Sequence, residues 1–592
     1  MLGEKMKRLM LAVACAFAIG TAVAGSAQAA FPYLPDSASA GDPFSFKSGP
    51  GVVPGDLGGN DWKFAATPEN PNPYPADPKE LDGVRGAHVV DADPSVQTAW
   101  QTTTGRPDVT IAVLDSGIEW QDAGAMNDLR FKVRLNKGEL PAPDVGSSSN
   151  DSSAAASCSG FTAGQYDANG DGVFDIRDYA CDPRVTTTSG PRAGPPGMLT
   201  PQDVIIAFSD GTDGDSNGYR DDIAGWDFLD NDNDAYDDVH YGHGTGEATD
   251  SSAEAGNGGE TGSCPNCTFI PLRVGDSFVA DVNRFAQATL YAVDNNVLVI
   301  QEALGTLNNS MLARKAVDYA YNHGVAVMAS AADEAAQHHN WPSSLPHTIV
   351  TNSVRKYDEN FTPTQKSYVE LNGCTNFSSK ITVSIPSSSC SSNAVGLAAG
   401  MAGLIYSSAK NAQNAGHLSP SDDAACARPG GGKCLITPNE VRQLIASGRI
   451  TPGNSGAGDP YDTEDQADDV NFISGTAEPS CSGVPAIDCT DPNRFFPIAN
   501  APTTGRPVLA VTSPFVTRSY PAHHGFDQYY GYGRVNMVKA VQATDAATIP
   551  PEAEITAPDW YEQVDPARPN VDVHGYVNAR GHAYTCVVEV AP

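Results

Sequence analysis

Short apolar runs alternate with amphipathic stretches through the middle of the chain. The run 109–114 is continuous and β-branched, and it ends at Asp115 beside Gly117. Such a run predicts a strand covered on both faces, as in a parallel sheet. Further strands are predicted at 267–274, 297–300, 324–329 and 349–353, and helices at 282–294, 310–323 and 393–406. This alternation predicts an α/β fold with a mainly parallel central sheet.

The N-terminus follows a different pattern. Three basic residues precede an apolar stretch at 9–24, and Ala-Gln-Ala at 27–29 follows. This order predicts a secretory signal peptide at 1–29, too short and wrongly flanked for a membrane anchor. Lipoprotein processing at Cys15 is disfavoured because little apolar sequence precedes it. No later segment is apolar enough to span a bilayer, so we expect a secreted, extracellular protein.

The composition divides the rest of the chain. Residues 30–95 are rich in Pro, Gly, Asp and Asn, which indicates an irregular arm, a pro-segment or both. The main domain is expected at 96–547, with insertions at 137–222, 411–436 and 452–525. Alternating stretches at 571–577 and 585–590 suggest that 548–592 begins a β-sandwich-like accessory domain.

Charge restricts the partners. The chain has 36 Lys and Arg against 71 Asp and Glu, a net charge of -35, and 40% of its residues are hydrophobic. Such acidity disfavours nucleic acid and anionic membranes as partners, while the apolar content supports a core. Many of the Asp residues stand in runs with Asn and Gly, a composition that favours calcium.

One acidic run has the spacing of a calcium loop. From residue 167 it places oxygen ligands at loop positions 1, 3, 5, 9 and 12, a glycine at position 6 and a backbone carbonyl at position 7. The expected ligands are Asp167, Asn169, Asp171, Val173, Asp175 and Asp178. A solvated acidic loop is the alternative.

A second run from residue 213 repeats the first part of this spacing. Its expected ligands are Asp213, Asp215, Asn217 and Asp221, but it lacks an acid at position 12. It is therefore the weaker calcium candidate.

Eleven of the twelve cysteines follow the predicted signal peptide, which suits a compartment where disulfides persist. Close spacing suggests the pairs Cys158–Cys181, Cys374–Cys390, Cys426–Cys434, Cys481–Cys489 and Cys264–Cys267. Sequence alone leaves this connectivity open. Cys586 is left over, with a partner expected outside this sequence.

Three residues are candidates for chemistry. Asp115 stands at a strand end, His243 lies between two glycines, and Ser392 precedes a helix of small residues. Each also has a simpler explanation: a turn Asp, an exposed His and an N-cap Ser. Together they occur in the chain order Asp, His, Ser, one of the known orders of the serine-hydrolase triad.

The residues around them resemble the subtilisin-like serine peptidases (subtilases). Val113–Gly117 and Gly242–Thr245 resemble the family's Asp and His motifs. The likeness continues at 291–300, 324–334 and 531–536 and covers about 96–547. It implies a subtilisin-like three-layer domain.

The resemblance also implies roles for these residues. Ser392 would be the nucleophile, His243 its base, and Asp115 the group that orients the imidazole. Residues Ala303, Leu304 and Gly305 match the edge that pairs with an extended peptide. The family has Gly-Thr-Ser-Met-Ala-x-Pro at the nucleophile, whereas this chain departs around Ser392, so that Ser391 and Ser389 stay open as alternatives. Gly246 stands where the His motif usually has a second His.

The oxyanion position also departs from the family. Most relatives have an Asn there, and this chain has Asp333. Only a protonated carboxyl can donate to an oxyanion. We therefore expect a secreted, calcium-stabilised, monomeric serine endopeptidase for protein or peptide substrates, slower or favoured at mildly acid pH. The alternatives are a weak or inactive binding or adhesion protein on the same scaffold, and a hydrolase for esters.

Overall fold

The computed structural model describes most of the expected main domain. It covers residues 99–153, 157–187, 192–277, 279–337, 340–356, 369–372, 374–387, 389–447, 510–512, 515–517, 528–559 and 562–581, with 87, 89, 526 and 584. The predicted signal peptide, most of the 30–95 arm and most of the 452–525 insertion lie outside the described residues. So do the pair Cys481–Cys489, Cys586 and the strand expected at 585–590.

A mainly parallel sheet of eight strands forms the centre of the domain. The strands are β1 (Thr110–Asp115), β2 (Trp226–Asp227), β3 (Thr268–Arg273), β4 (Val299–Glu302), β5 (Ala326–Ser330), β6 (Thr348–Lys356), β7 (Val369–Leu371) and β8 (Ile381–Pro386). Their order is β2-β3-β1-β4-β5-β6-β7, and β8 pairs with β6. Only the pairing of β6 with β7 is antiparallel among these strands. The predicted fold class is confirmed.

Helices cover both faces of the sheet. They are α1 (Ala99–Thr102), α2 (Ala123–Leu129), α3 (Pro201–Phe208), α4 (His243–Ser252), α5 (Val282–Asp294), α6 (Met311–Asn322), α7 (Ser391–Asn414), α8 (Pro438–Ser447) and α9 (Met537–Asp545). One apolar cluster joins the sheet to α4, α7 and α9, and a second joins it to α5 and α6. The sheet therefore lies between two helical layers, as expected.

Strand β1 is central to this architecture. All its residues are buried, and it pairs in parallel register with β3 on one side and β4 on the other. Its neighbour β4 ends at Glu302, two residues later than the pattern predicts. The polar pair Gln301 and Glu302 continues the strand because its backbone pairs with both β1 and β5. The sheet thus delivers Asp115 and Glu302 to the same edge.

The helix after the predicted nucleophile is longer than expected. α7 begins at Ser391 and continues to Asn414, into the stretch predicted as an insertion from residue 411. Most of its side chains are small, and those from Ala394 to Ala409 are all buried. A continuous buried face allows α7 to run through the core beside the sheet.

The acidic insertion at 137–222 has its own packed structure. A 3-10 helix spans Ile176–Cys181, its residues Ile176 and Tyr179 are fully buried, and the Tyr179 ring packs on Phe208 of α3 with centroids 5.6 Å apart. The disulfide Cys158–Cys181 closes this segment. Apolar packing and the disulfide therefore contribute to the order that we expected metal to supply.

Past α9, a β-hairpin contacts the main domain. It consists of Glu552–Ala557 and His574–Asn578 in antiparallel pairing. A shorter hairpin pairs Ala510–Thr512 with Phe515–Thr517. None of the helices in the described part of the chain has the length and apolarity to cross a membrane.

The core offers a direct test of the α7 packing. A Cβ added to Gly400 would lie 2.1 Å from the Ser263 Oγ and 2.5 Å from the Ser251 carbonyl oxygen. We expect Gly400→Ala to reduce the free energy of unfolding by about 1–3 kcal/mol, because backbone must shift to admit the methyl group. Gly246→Ala is the control, since a Cβ there meets nothing within 4 Å. It should leave urea-induced unfolding unchanged or raise stability by up to about 1 kcal/mol. Equal stability of the two variants would contradict the packing.

Candidate active site

Asp115 and His243 meet at the end of β1. The Asp115 Oδ1 lies 2.8 Å from the His243 Nδ1. Asp115 is buried, and its Oδ1 also accepts a hydrogen bond from the Ser116 amide at 2.7 Å. The His243 side chain is 18% exposed. The pair therefore has an anchored carboxylate and an imidazole that solvent or a substrate can reach.

Glycines allow the His243 loop to approach β1. Gly242 adopts the left-handed conformation before α4, with φ of 73°. A Cβ at Gly244 would lie only 2.4 Å from the Gly117 carbonyl oxygen and 3.1 Å from the Asp115 Cβ. Side chains at these two positions would separate His243 from Asp115, which explains the glycines of the predicted His motif.

Asp237 holds the same loop, and the sequence analysis missed it. Its Oδ2 accepts hydrogen bonds from the Gly242 amide at 2.7 Å and the Ser116 hydroxyl at 3.2 Å. Ser116 in turn accepts from the Gly244 amide at 3.1 Å. Asp237 is fully buried, whereas its sequence context is an acidic run typical of a surface. No local signal distinguishes it from its neighbours.

The surroundings of His243 favour its charged form. Burial alone would lower the pKa of His243, but the charge and hydrogen bond of Asp115 outweigh burial and raise it. The more distant charge of Asp333 acts in the same direction. The Tyr241 ring stacks on the imidazole with centroids 5.4 Å apart. An imidazole with a raised pKa is a stronger base once it is neutral.

Ser392 lies in the first turn of α7. The N-cap position belongs to Cys390, so that the simple N-cap explanation of Ser392 is not supported. The Ser392 hydroxyl donates to the Ala303 carbonyl at 3.3 Å. In this rotamer it is therefore directed at the predicted substrate edge and not at His243.

The packing of α7 on α4 places the two first turns side by side. A Cβ at Gly396 would lie 2.9 Å from the Glu247 Oε2, and one turn later a Cβ at Gly400 would lie 2.5 Å from the Ser251 carbonyl oxygen. The two helices therefore run parallel and in register. One turn before these contacts stand Ser392 and His243, which consequently share the same end of the helix pair.

Ser391 is engaged in a different way. It is fully buried, and its hydroxyl lies 2.7 Å from the Ser330 hydroxyl and 2.5 Å from the Asp333 Oδ1. The Ser391 amide donates to the same Asp333 oxygen at 2.8 Å. Ser391 thus orients Asp333, and its burial makes it a poorer nucleophile candidate than Ser392.

Asp333 lies where an oxyanion donor is expected, beside the start of α7. Because Ser391 provides two donors to Oδ1, a proton on this carboxyl belongs on Oδ2. Loss of hydration raises the pKa of Asp333, although the Ser391 hydrogen bonds oppose this. The arrangement favours a carboxyl that keeps its proton to higher pH than an ordinary Asp.

The predicted substrate edge is partly paired with the protein's own backbone. The Gly305 carbonyl accepts from the Ala280 amide at 3.0 Å, and Thr306 exchanges two hydrogen bonds with Trp341. Leu304 is buried in the core. A peptide that adds along Ala303, Leu304 and Gly305 would compete with the contact from Ala280.

Buried acids surround the candidate site. Glu247 accepts from the Gln301 side-chain amide at 2.9 Å, and Glu302 is fully buried. Burial raises the pKa of both carboxyls well above the usual value, because a buried carboxylate loses its hydration. The missing side chain at Gly396 leaves the space that Glu247 and Asp250 occupy, since a Cβ there would lie 2.7 Å from the Asp250 Cβ. Gly396, where the family motif has Pro, therefore leaves room for the side chains of Glu247 and Asp250 on α4.

Carboxylates of the first predicted calcium loop accept hydrogen bonds from the loop's own backbone amides. Asp167 accepts from the amides of Gly170 at 2.9 Å and Gly172 at 3.1 Å. Asp178 accepts from the Ala168 amide at 2.7 Å, and burial followed by the charge of Asp175 raises its pKa to about 8. Asp175 itself pairs with Arg177 at 2.7 Å. The carboxylate at the ninth loop position, Asp175, is therefore already paired with the Arg177 guanidinium.

The second predicted loop gains an acid from elsewhere in the chain. Carboxylate oxygens of Glu139, Asp213 and Asp215 lie within 4.8 Å of one another. Glu139 accepts from the amides of Asp215 and Asp221, each at 3.1 Å. Sequence reasoning missed Glu139 because it stands far before the loop. Asp221 faces another way and accepts from the amides of residues 210 and 211.

A third acidic cluster surrounds an arginine. Asp227, Asp230 and Asp238 all accept from the Arg273 Nη1, at 2.5, 3.0 and 3.1 Å. Asp276 accepts from Nη2 at 2.6 Å. The guanidinium therefore contacts every carboxylate of the cluster and offsets part of its negative charge.

Comparisons with known proteins show which family the chain resembles. The chain is 32% identical over 198 residues to thermitase of Thermoactinomyces vulgaris, covering 32% of this chain and 70% of thermitase. It is 33% identical over 141 residues to the thermophilic serine proteinase of Bacillus sp. (strain AK1), covering 23% of this chain and 34% of that protein. Among solved structures, sphericase matches with a TM-score of 0.32 at 16% identity, covering 60% of this chain and 88% of sphericase. The model of the subtilase family matches residues 106–447, more than half of the chain. The chain therefore belongs to the subtilase family.

Proposed function

We propose that this subtilase is a secreted serine endopeptidase that uses Asp115, His243 and Ser392 as its triad. The observation that carries the proposal is the 2.8 Å hydrogen bond between Asp115 and His243, at the end of the helix pair that also bears Ser392. Family membership and the names of the relatives support a protease. The predicted signal peptide and the disulfides support secretion.

The chemistry follows from the three side chains. The Ser392 Oγ attacks the peptide carbonyl carbon while the His243 Nε2 takes its proton, and Asp115 stabilises the resulting imidazolium. His243 then gives the proton to the leaving amine, and the C–N bond breaks to leave an acyl-enzyme. Water, deprotonated by His243, hydrolyses the ester and restores Ser392. In the resting rotamer Ser392 donates to Ala303, so attack requires rotation of its hydroxyl toward His243.

Two groups would stabilise the oxyanion. The Ser392 amide lies at the N-terminus of α7, where free amides and the helix dipole favour negative charge. Protonated Asp333 would donate from Oδ2, because its Oδ1 is occupied by Ser391. An ionised Asp333 would repel the oxyanion. The rate therefore depends on a proton that most relatives do not need.

Extended peptides are the substrates that the site suits best. A peptide main chain would pair with Ala303, Leu304 and Gly305, replacing the Ala280 contact to the Gly305 carbonyl. Main-chain pairing tolerates many side chains. A single chain carries all the proposed catalytic groups, which is consistent with a monomer.

Calcium would stabilise the acidic insertion. Glu139, Asp213 and Asp215 gather three carboxylates, and Asn217 adds an amide oxygen at the fifth loop position. No arginine in the described part of the chain pairs with this cluster, unlike the group around Arg273. The first loop, from Asp167 to Asp178, is a second candidate whose raised Asp171 and Asp178 pKa values reflect burial together with a neighbouring carboxylate.

The identity of the nucleophile can be tested with adjacent serines. Ser392→Ala should remove labelling by a fluorophosphonate probe and lower casein hydrolysis by about 10⁶-fold, the scale of losing a triad nucleophile. Ser391→Ala is the matched control and should keep the labelling, because Ser391 only orients Asp333. Unchanged hydrolysis by Ser392→Ala would reject the triad. A folded wild-type protein that fails to label would favour the binding or adhesion alternative.

The proton on Asp333 predicts a pH dependence. Asp333 can donate only below its raised pKa, and it loses this proton as the pH rises through that pKa. His243 can act as a base only when it is neutral, so its activity as a base is lost at low pH. We expect kcat/KM of the wild type to fall as the pH rises through the raised pKa of Asp333. Asp333→Asn supplies an amide donor at every pH, so its kcat/KM should not show this fall. Glu334→Gln removes a neighbouring negative charge that raises the pKa of Asp333, so it should retain the fall and move it to lower pH. If Asp333→Asn falls as steeply as the wild type, the protonated donor is excluded.

The role of Glu139 can be tested by calcium titration. Glu139→Gln removes one charged ligand and should weaken calcium binding at the second loop by about tenfold or more. Isothermal titration of the protein after EDTA treatment measures the affinity and the number of sites. Asp230→Asn is the control, since Asp230 pairs with Arg273, and it should bind calcium like the wild type. Equal affinities for Glu139→Gln and the wild type would remove Glu139 from the site.

A further inference from the structure

The disulfide Cys374–Cys390 is attached directly to the nucleophile segment. Cys390 precedes Ser391 and Ser392 and occupies the N-cap position of α7, where its side chain makes no capping hydrogen bond. Its sulfur is committed to Cys374 instead, across a sequence separation of 16. A displacement of Cys390 would therefore move Ser392 through the short backbone between them.

The other half of the disulfide belongs to a segment that holds the Asp333 loop. We call residues 374–377 the strap. The Cys374 carbonyl accepts from the Ala335 amide at 2.9 Å, and the Asn376 amide donates to the Ala332 carbonyl at 2.7 Å. The Asn376 Oδ1 accepts from the amides of Glu334 and Ala336, each at 3.0 Å. The strap thus fixes the backbone on both sides of Asp333.

The disulfide and the hydrogen bonds of Ser391 together connect the strap, the nucleophile segment and the Asp333 loop in a ring. On one side, the disulfide joins the strap to Cys390. On the other, Ser391 donates from its amide and hydroxyl to the Asp333 Oδ1. One covalent bond and two hydrogen bonds therefore link the proposed nucleophile segment to the oxyanion donor. Hydrogen bonds alone would leave this geometry looser, and misplacement of about 1 Å can cost 10²-fold in rate.

Among the described disulfides, Cys374–Cys390 is the one in which both cysteines are partly exposed to solvent. Each other described disulfide has at least one buried half: Cys181 in the first, both residues of Cys264–Cys267, and both residues of Cys426–Cys434. Access to the attacking thiol is one determinant of the rate of thiol–disulfide exchange. A small reductant should therefore meet Cys374–Cys390 first.

The loop has other anchors that do not depend on sulfur. The Ser389 carbonyl accepts from the Ser353 hydroxyl at 2.7 Å and from the Asn372 side-chain amide at 2.5 Å. The Ser387 hydroxyl lies 2.5 Å from that of Ser353. Ser353 and Ser387 are fully buried. These contacts would keep the loop attached to the sheet after the disulfide opens, so that the change stays local.

We propose that Cys374–Cys390 is a positioning disulfide of the active site, and that its reduction by an external dithiol lowers activity without unfolding the protein. The proposal rests on the proposed roles of Ser392 and Asp333. A thiolate of the dithiol attacks one sulfur, the S–S bond breaks, and a mixed disulfide forms. The second thiol of the reagent closes its own disulfide, which releases the protein as two thiols and oxidises the reagent.

Paired variants test the positioning role. The double variant Cys374→Ser/Cys390→Ser should lower kcat by about 10- to 100-fold with KM little changed, because geometry and not substrate binding is lost. The control Cys426→Ser/Cys434→Ser removes a disulfide that packs on Gly324, before β5, whereas Asp333 follows β5, and it should keep the wild-type kcat. Thermal unfolding followed by circular dichroism establishes that both variants are folded at the assay temperature.

Dithiothreitol provides a second readout that needs no substitution. Wild-type kcat should fall as alkylation and mass spectrometry show Cys374 and Cys390 becoming free, while circular dichroism stays native. The Cys374→Ser/Cys390→Ser variant should not respond further. The reduction experiment on the wild type also tests the positioning role if the Cys374→Ser/Cys390→Ser variant fails to fold.

Several outcomes would overturn the proposal. They are an unchanged kcat in Cys374→Ser/Cys390→Ser, an equal loss in the Cys426→Ser/Cys434→Ser control, or full activity after selective reduction of Cys374–Cys390. None of these affects the triad, because fluorophosphonate labelling that depends on Ser392 would still stand. Conversely, loss of that dependence would reject the proposed function itself, whatever the disulfide does.

Discussion

The close packing of α7 against α4 is the constraint on which the site depends. Gly396 and Gly400 face α4 where an added Cβ would lie within 3 Å of its atoms, and Gly403 packs equally tightly on the disulfide Cys264–Cys267. Because the helices run parallel and in register, their first turns bring Ser392 and His243 to one end. Strand β1, buried between its two neighbours, delivers Asp115 to that same end. A site built on rigid helices and a central strand keeps its geometry better than one built on loops.

The departures from the family motifs are consistent with this packing. Gly396, in place of the family's Pro, leaves the space that Glu247 and Asp250 occupy on the facing helix. Ser391, beside the proposed nucleophile, donates to Asp333 and so links the nucleophile loop to the oxyanion loop. An Asn at position 333 could accept the same two bonds on its oxygen, but it would donate through an amide and not through an O–H.

The strongly periodic elements were predictable from the sequence, and the long-range contacts were not. Helix α5 spans Val282–Asp294 as its apolar periodicity predicts, because one face packs on the sheet and Asp281 caps its first turn. By contrast, Gln301 and Glu302 have polar side chains but continue a buried strand, since backbone pairing on both sides outweighs their polarity. Glu139 contacts a loop that lies far along the chain. Asp237 stands in an acidic run, where no local signal distinguishes it from its neighbours. The burial of Ser391, which supports the assignment of Ser392 as the nucleophile, could not be predicted, because spacing alone places a helix start only within a residue or two.

The acidic surroundings shift the pKa of Asp333 and of His243 in the same direction, but the proposed mechanism needs Asp333 protonated and His243 neutral. Carboxyls on several elements face it, and a field of negative charge raises the pKa of every group near it, including His243. A higher pKa helps Asp333, which must keep its proton, but it also holds His243 in the charged form that cannot act as a base. Glu247 lies beside Gln301 among these acids, and burial raises its pKa, so that it keeps its proton to a higher pH than an ordinary Glu. A carboxyl that keeps its proton adds no negative charge to the field that raises the pKa of His243. The proposed mechanism therefore needs a pH range in which Asp333 is still protonated and His243 is already neutral.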